Sequence, residues 1–353
     1  MFNLTKKIKD EDLENKSDYL SKSLLTLEYV RQINISLSVF LVLIGIIGNC
    51  LIIYVYSQSR FRKNSNNVYL LLLSINNSFY LIVHFFEDTI RSYIYLDNLK
   101  RLEFLDSLNL LDQSDLACSL FNYIRYVLRS ASAYIMIAFT LQNLLIVYLP
   151  LSSFFKSTKS AWIISGLIEF FSLMFNSWFL AIFRLKLEDE NKSRYYCDVL
   201  KEYDKQYFKA TIVYIFVIML VPILVIFMSN FLIVIKITRL SSNKTEEIEI
   251  VEEKELKNDV LPRYSKDITK DLILISLFYA IFNLPYFVNW CCFYYYEKLD
   301  SFPNEARQNY LYSALKVSEL FYLLNYSVNF YIYAPSSSVF FSQLKNSSIL
   351  NLF

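Results

Sequence analysis

The sequence predicts an all-α integral membrane protein built as a bundle of seven transmembrane helices. Three observations carry that reading. Seven long apolar stretches occur along the chain, each broken by a polar residue or a proline near its middle. Each has the length of about twenty residues that crosses a hydrocarbon core of about 30 Å. None shows the two-residue alternation over ten-residue segments that a membrane barrel requires. Composition agrees, since 55% hydrophobic and 19% charged residues leave too little polar surface to dissolve seven such helices in water.

The expected spans are Ile33 to Tyr56, Val68 to Tyr93, Leu116 to Tyr148, Ala161 to Phe183, Phe208 to Ile235, Leu272 to Tyr296 and Tyr310 to Tyr333. Residues 1–32 read as an N-terminal tail of mixed charge without a signal-peptide core, so the first span serves as an uncleaved anchor. The transmembrane domain covers 33–341 and includes a polar loop of about 238–270. In that loop Glu246, Glu247, Glu249, Glu252, Glu253 and Glu255 alternate with Ile248, Ile250 and Val251. Such a charge run reads as a solvated cytoplasmic stretch. Residues 342–353 form a short tail with no cysteine for acylation.

An odd number of spans puts the termini on opposite sides. Arg60, Arg62, Lys63, Lys156 and Lys159 favour a cytoplasmic position for the first and third connections, and hence an external N-terminus. Lys186, Lys192, Arg194, Lys201, Lys205 and Lys209 weigh on the other side. Glycosylation sequons at Asn3, Asn15 and Asn191 fall on the external face, while those at Asn243 and Asn346 fall inside. Net charge of +2 gives no nucleic-acid footprint. Of the five cysteines, Cys118 opens the third span and Cys197 lies between the fourth and fifth, both on the N-terminal face. An oxidising compartment there allows them to pair, and two unrelated thiols is the other reading.

Within the spans, Pro222 and Pro285 each remove a backbone donor and are expected to bend their helices, as swinging joints or as packing bends. Asn49, Asn77, Asn325 and Asn329 are placed to form a buried amide network, either a switch or interhelical glue. Arg125 and Arg129 lie on one face of the third span, inward of Cys118. Charges inside a membrane face the bundle and have partners. The candidates are Glu87, Asp88 and Glu319, with Lys316 one turn outward of Glu319; we expect Arg125 and Glu319 to line the cavity and to contact each other when it is empty, a structural lock of Arg125 to Glu319 or Glu87 being the other reading. His84, the only histidine, lies on the same side and reads first as a packing residue.

In order and spacing these landmarks resemble the rhodopsin-like family of G-protein-coupled receptors over nearly the whole chain. The matching residues are Gly48-Asn49, Pro222, Phe282-Asn283-Leu284-Pro285 and Asn329-Phe330-Tyr331-Ile332-Tyr333. Counting from Cys118 reaches Gln142-Asn143-Leu144 where the family has Asp or Glu, Arg and Tyr, followed by Pro150-Leu151. Phe340 stands at the spacing of the family's short amphipathic eighth helix. The sequence departs at Asn77, where the family's sodium-binding Asp is absent, and at Asn283, Asn230 and Phe330, which replace Trp, Tyr and Pro. The fourth span lacks the family's central Trp. The seventh-span motif is similar to those of invertebrate FMRFamide-like peptide receptors and related chemoreceptors.

The resemblance implies a plasma-membrane receptor with an outward-opening pocket containing both signs of charge and rimmed by Tyr286, Asn289 and Trp290. It implies signalling through helix movement to a heterotrimeric G protein, with membrane lipid around the bundle. A peptide, here a neuropeptide, is the favoured ligand and a small chemosensory molecule the second choice. Arg125 stands where amine receptors have their ligand-pairing Asp, which disfavours amines. Leu323 stands where opsins carry the retinal lysine. No enzyme, cofactor or metal site is expected, since one histidine and three glycines supply no catalytic or nucleotide-binding pattern. A transporter using Arg125, Glu87 and Glu319 is the rival of another class, but the chain shows no repeated halves.

Overall fold

The computed structural model describes residues 2–58, 64–96, 108–149, 153–187, 195–248, 260–298 and 305–336. The eighth-helix region at Phe340, the 342–353 tail, Pro150-Leu151, Arg60, Arg62, Lys63, the Asn191 and Asn346 sequons and the middle of the 238–270 loop lie outside the described residues. So do the side chains of Asn3, Asn15, Asn243 and Tyr333.

Seven long helices run through the described chain. They are α1 (Phe2–Ser57), α2 (Ser65–His84), α3 (Asp115–Tyr148), α4 (Thr158–Asn176), α5 (Val221–Ile248), α6 (Val260–Lys298) and α7 (Glu305–Ser327). Three of them extend further. α2 continues through a π-helical turn, Phe85–Ile90, into Arg91–Leu96, and α5 is preceded by Asp204–Ile215 and a second π turn, Phe216–Leu220. Beyond a break at Val328, α7 resumes as Asn329–Ser336. Five segments are long and apolar enough to cross a membrane on composition alone: Asp18–Ser57, Ser65–Ile94, Asp115–Tyr148, Thr158–Ile182 and Lys201–Arg239. α6 and α7 complete the bundle by packing on each other, with α7 also lying along α1. Arg307, Lys316 and Glu319 lower the hydropathy of α7; Lys316 meets Asp88 in the turn that follows α2, and Glu319 pairs with Lys316.

Local chemistry sets the ends. Ser114 precedes α3 in an extended conformation and accepts from the Ala117 N–H at 3.1 Å; Asn64 caps α2 by accepting from Asn66 N–H at 3.0 Å. The π turn before Pro222 has a steric reason, because a proline ring clashes with the carbonyl four residues back and a widened turn relieves that clash. Pro285 sits inside α6.

The boundary expected at 32/33 is not a structural one. α1 runs without interruption across it, and its outer half leans on α7: Ser23 Oγ accepts from Asn309 Nδ2 at 3.1 Å, Arg31 stacks over the Tyr312 ring, and Asn34 Nδ2 donates to the Lys316 carbonyl at 2.7 Å. Deeper in, a β-carbon on Gly45 would stand 2.8 Å from the Ser327 Cα, and one on Gly48 would stand 2.8 Å from the Phe330 Cβ. Small residues let these helices touch. Gly45→Val is expected to lower stability by about 1–3 kcal/mol through overpacking against backbone. Gly166→Ala, with nothing within 4 Å of the added carbon, is the neutral control in the same thermal unfolding measurement.

Candidate functional site

One end of the bundle is covered by a hairpin. Strands β1 (Phe183–Leu187) and β2 (Tyr195–Val199) pair antiparallel with Leu185 opposite Cys197. Cys197 is disulfide-bonded to Cys118 at the outer end of α3, as the cysteine placement allowed. Carboxylates fix the hairpin further: Asp112 accepts from Cys197 N–H at 2.7 Å and Asp115 from Leu185 N–H at 2.8 Å. Arg91 donates to the Cys197 carbonyl at 2.9 Å.

Beneath the hairpin lies a polar cavity of about 330 Å³, lined by Glu87, Asp88, Asn122, Arg125, Arg31 and Tyr312 among others. The first π turn of the fold, Phe85–Ile90, builds part of its wall. Neighbouring residues on a helix diverge by about 100°, so two consecutive carboxylates rarely share one interior. The widened Phe85–Ile90 turn brings both Glu87 and Asp88 in. Such turns occur often at functional sites. Arg125 Nη1 pairs with Glu87 Oε1 at 2.6 Å, and its Nη2 donates to Asn122 Oδ1 at 3.2 Å. Lys316 Nζ lies 2.6 Å from Asp88 Oδ1 and 2.9 Å from Glu319 Oε2. Of the two contacts weighed for Arg125, the one to Glu319 is therefore not formed; Lys316 holds that carboxylate.

Arg129 lies one turn deeper and is buried. It donates to the Tyr80 hydroxyl through Nε and Nη2, at 3.3 and 3.0 Å, and its guanidinium sits 4.9 to 5.9 Å from the ring centres of Tyr322, Tyr80 and Tyr286. Among the described residues no carboxylate forms an ion pair with it. Ring faces hold a cation by their quadrupoles where water is excluded. Tyr286 stacks on Tyr322 at 4.9 Å, Trp290 stacks on Tyr294, and Asn289 reaches the Ala314 carbonyl at 3.5 Å. These three belong to the α6 side of the bundle rather than to the polar cavity's lining. His84 is buried beside Tyr80, ring on ring. A larger cavity of about 620 Å³ lies between α3, α4 and the α5 entry, lined by Tyr134, Phe171, Phe175 and Val217 among others. No charged residue lines it, and beside the hydroxyls of Ser130, Tyr134 and Ser172 its wall is apolar.

The seven-transmembrane receptor family of rhodopsin type matches residues 48–333, well over half the chain. The chain belongs to that family. It is therefore a G-protein-coupled receptor, a multi-pass plasma-membrane protein and not an enzyme, and the transporter reading falls. No curated protein shows significant similarity to it.

In this receptor the inner half differs from expectation in how its amides are used. Among the described residues Asn49, Asn77, Asn325 and Asn329 do not bond to one another. Asn49 Nδ2 donates to the Tyr326 carbonyl at 2.9 Å, tying α1 to α7, while Asn77 Oδ1 accepts from Ser132 at 3.1 Å. The neighbouring Asn76 does the larger share, donating to both the Leu128 carbonyl and Ser132 Oγ. Gln142 Nε2 bonds Ser65 Oγ at 2.7 Å and Asn66 Oδ1 at 3.0 Å, linking α3 to the start of α2. Asn143 Nδ2 turns back to the Phe139 carbonyl, and Asn283 Nδ2 to the Tyr279 carbonyl. Both are satisfied within their own helices. Asn230 is half-buried in the first half of α5.

The sequence reading missed Arg31, Arg91, Asn122 and Tyr80. Arg31 sat in a stretch read as tail. Tyr80 looked like one aromatic among 29 tyrosines, and only a buried arginine one helix away gives it a role.

Proposed function

We propose that this receptor binds an extracellular peptide in the polar cavity beneath the disulfide-tied hairpin, with its N-terminus outside the cell, and couples occupancy to a G protein by helix movement. The observation that carries the reading is the two-signed cavity wall formed by Glu87, Asp88, Arg125 and Arg31, since a peptide offers charges and amides of both kinds. The disulfide supports the external placement, because such bonds persist in oxidising surroundings. An adjoining cavity of about 240 Å³ shares Arg31 and Tyr312 with the first, giving a chain-like ligand room to continue along α1 and α7. A small chemosensory ligand is the second reading, favoured by the modest 330 Å³ of the main cavity. The test is a screen of peptide and small-molecule libraries on cells expressing the chain, read by calcium and cAMP. Activation by small molecules with silence from every peptide would reverse the order of the two readings.

Signalling in this receptor rests on amides where relatives use charge. Gln142 and Asn143 lack the charge-assisted bonds of an acid–arginine pair, so the barrier between resting and active states is lower. Ligand-independent activity is expected to be raised, or coupling weakened. Gln142→Glu with Asn143→Arg is then expected to lower basal cAMP or calcium signal or to raise agonist efficacy at equal surface expression. Unchanged values for both would move the determinant elsewhere.

A further inference from the structure

We propose that His84, Asp88 and Glu319 form a zinc site inside the bundle beside the polar cavity, whose lining Asp88 shares, with the Lys316 ammonium as the competing resident cation. One ligand atom from each of the three residues lies within 4.8 Å of the others, all inside the bundle. A tetrahedral zinc ion bound through nitrogen and oxygen holds its ligand atoms about 3.3–3.5 Å apart, so closure takes only small side-chain rotations. Two orphaned atoms belong to this cluster. His84 Nε2 and Asp88 Oδ2 are buried and have no hydrogen-bond partner among the described residues. A buried polar atom left unpaired calls for an explanation such as an ion; Asp88 Oδ2 carries lone pairs that a cation would take, and His84 Nε2 offers one with the imidazole proton on Nδ1.

Lys316 shows that the position attracts positive charge, since its ammonium touches Asp88 at 2.6 Å and Glu319 at 2.9 Å. It also has somewhere to go. The same ammonium already lies 5.8 Å from the centre of the Tyr312 ring, one turn outward on the cavity wall, and a swing toward that ring would keep a cation–π contact once metal arrives. One nitrogen and two carboxylate oxygens select zinc over magnesium or calcium, which prefer all-oxygen sets. Three protein ligands leave a fourth position for water or another donor. The site rests on these side chains and not on the ligand's identity.

The test is calorimetry of the purified full-length receptor in detergent, with zinc chloride against magnesium chloride. One saturable zinc site is expected in the wild type and none for magnesium. Lys316→Met is expected to tighten zinc binding by removing the competitor. His84→Gln is expected to weaken it by about 100-fold or more, because losing even an outer-shell group costs about 10–100-fold. X-ray absorption at the zinc edge on the wild-type protein, which needs no variant to fold, is expected to show a single imidazole nitrogen among oxygens. Absence of zinc binding from both the wild type and Lys316→Met overturns the proposal, as does binding that is equal in His84→Gln or a spectrum without imidazole.

Discussion

Arg125→Met is expected to destabilise the receptor by up to about 3–5 kcal/mol, because it leaves the Glu87 carboxylate, buried at the cavity wall, without its ion-pair partner. The side chain of Glu87 is only 5% exposed, so cavity water replaces the lost guanidinium only in part. Asn122 also loses the charged donor at its Oδ1. Glu87→Met should cost a similar amount by stranding Arg125. The double change Glu87→Met with Arg125→Met should recover most of the loss, since removing a buried pair together is often neutral where breaking it is not. Thermal unfolding of the four proteins closes the cycle. Additive losses would mean that the two groups act separately and that the 2.6 Å contact contributes little. Glu319 supplies the contrast: Arg125→Met combined with Glu319→Gln should show only weak coupling, because Lys316 stands between Glu319 and the rest of the charged set.

Cys118→Ser comes second in size. The bridge closes a loop of 79 residues between α3 and the hairpin, and removing such a crosslink typically costs about 2–4 kcal/mol. Surface expression is expected to fall sharply, and ligand binding in whatever reaches the surface should be lost. The hairpin has other anchors, since Asp112 and Asp115 hold its backbone and Arg91 holds the Cys197 carbonyl. The fold of the bundle should therefore survive better than the shape of the cavity. Normal ligand affinity in Cys118→Ser, or free thiols at both positions by mass mapping of surface protein, would defeat this expectation.

Much of the bundle was legible because membrane burial is a strong filter. Seven apolar stretches, two cysteines on one face and the landmarks from Asn49 to Tyr333 needed only counting. The pairing inside the cavity was less legible. Depth along a helix can be read from a sequence, but rotation about the axis cannot once a π turn intervenes, and Glu87 and Asp88 lie within such a turn. Counting alone therefore left Arg125 with two possible partners. Lys316 was placed in the pocket one turn outward of Glu319 but given no partner, and its flexible stem carries the ammonium to both Asp88 and Glu319. Arg31 was missed for another reason: nothing in a polar, mixed-charge stretch announces that the first helix continues through it and rests on α7.

The widened turn at Phe85–Ile90 also bears on how this pocket can change over generations. A π turn is an α-helix with one residue added in place, absorbed locally without disturbing the chain on either side. Removing a single residue there would restore the regular helix and rotate everything outward of it by about 100°. Arg91 would turn away from the Cys197 carbonyl it now holds. Glu87 and Asp88 would no longer both face the cavity. Single-residue gain or loss at this place is thus a step by which a lineage exchanges one set of inward-facing charges for another, leaving the inner half of the bundle and its Gln142 contacts untouched.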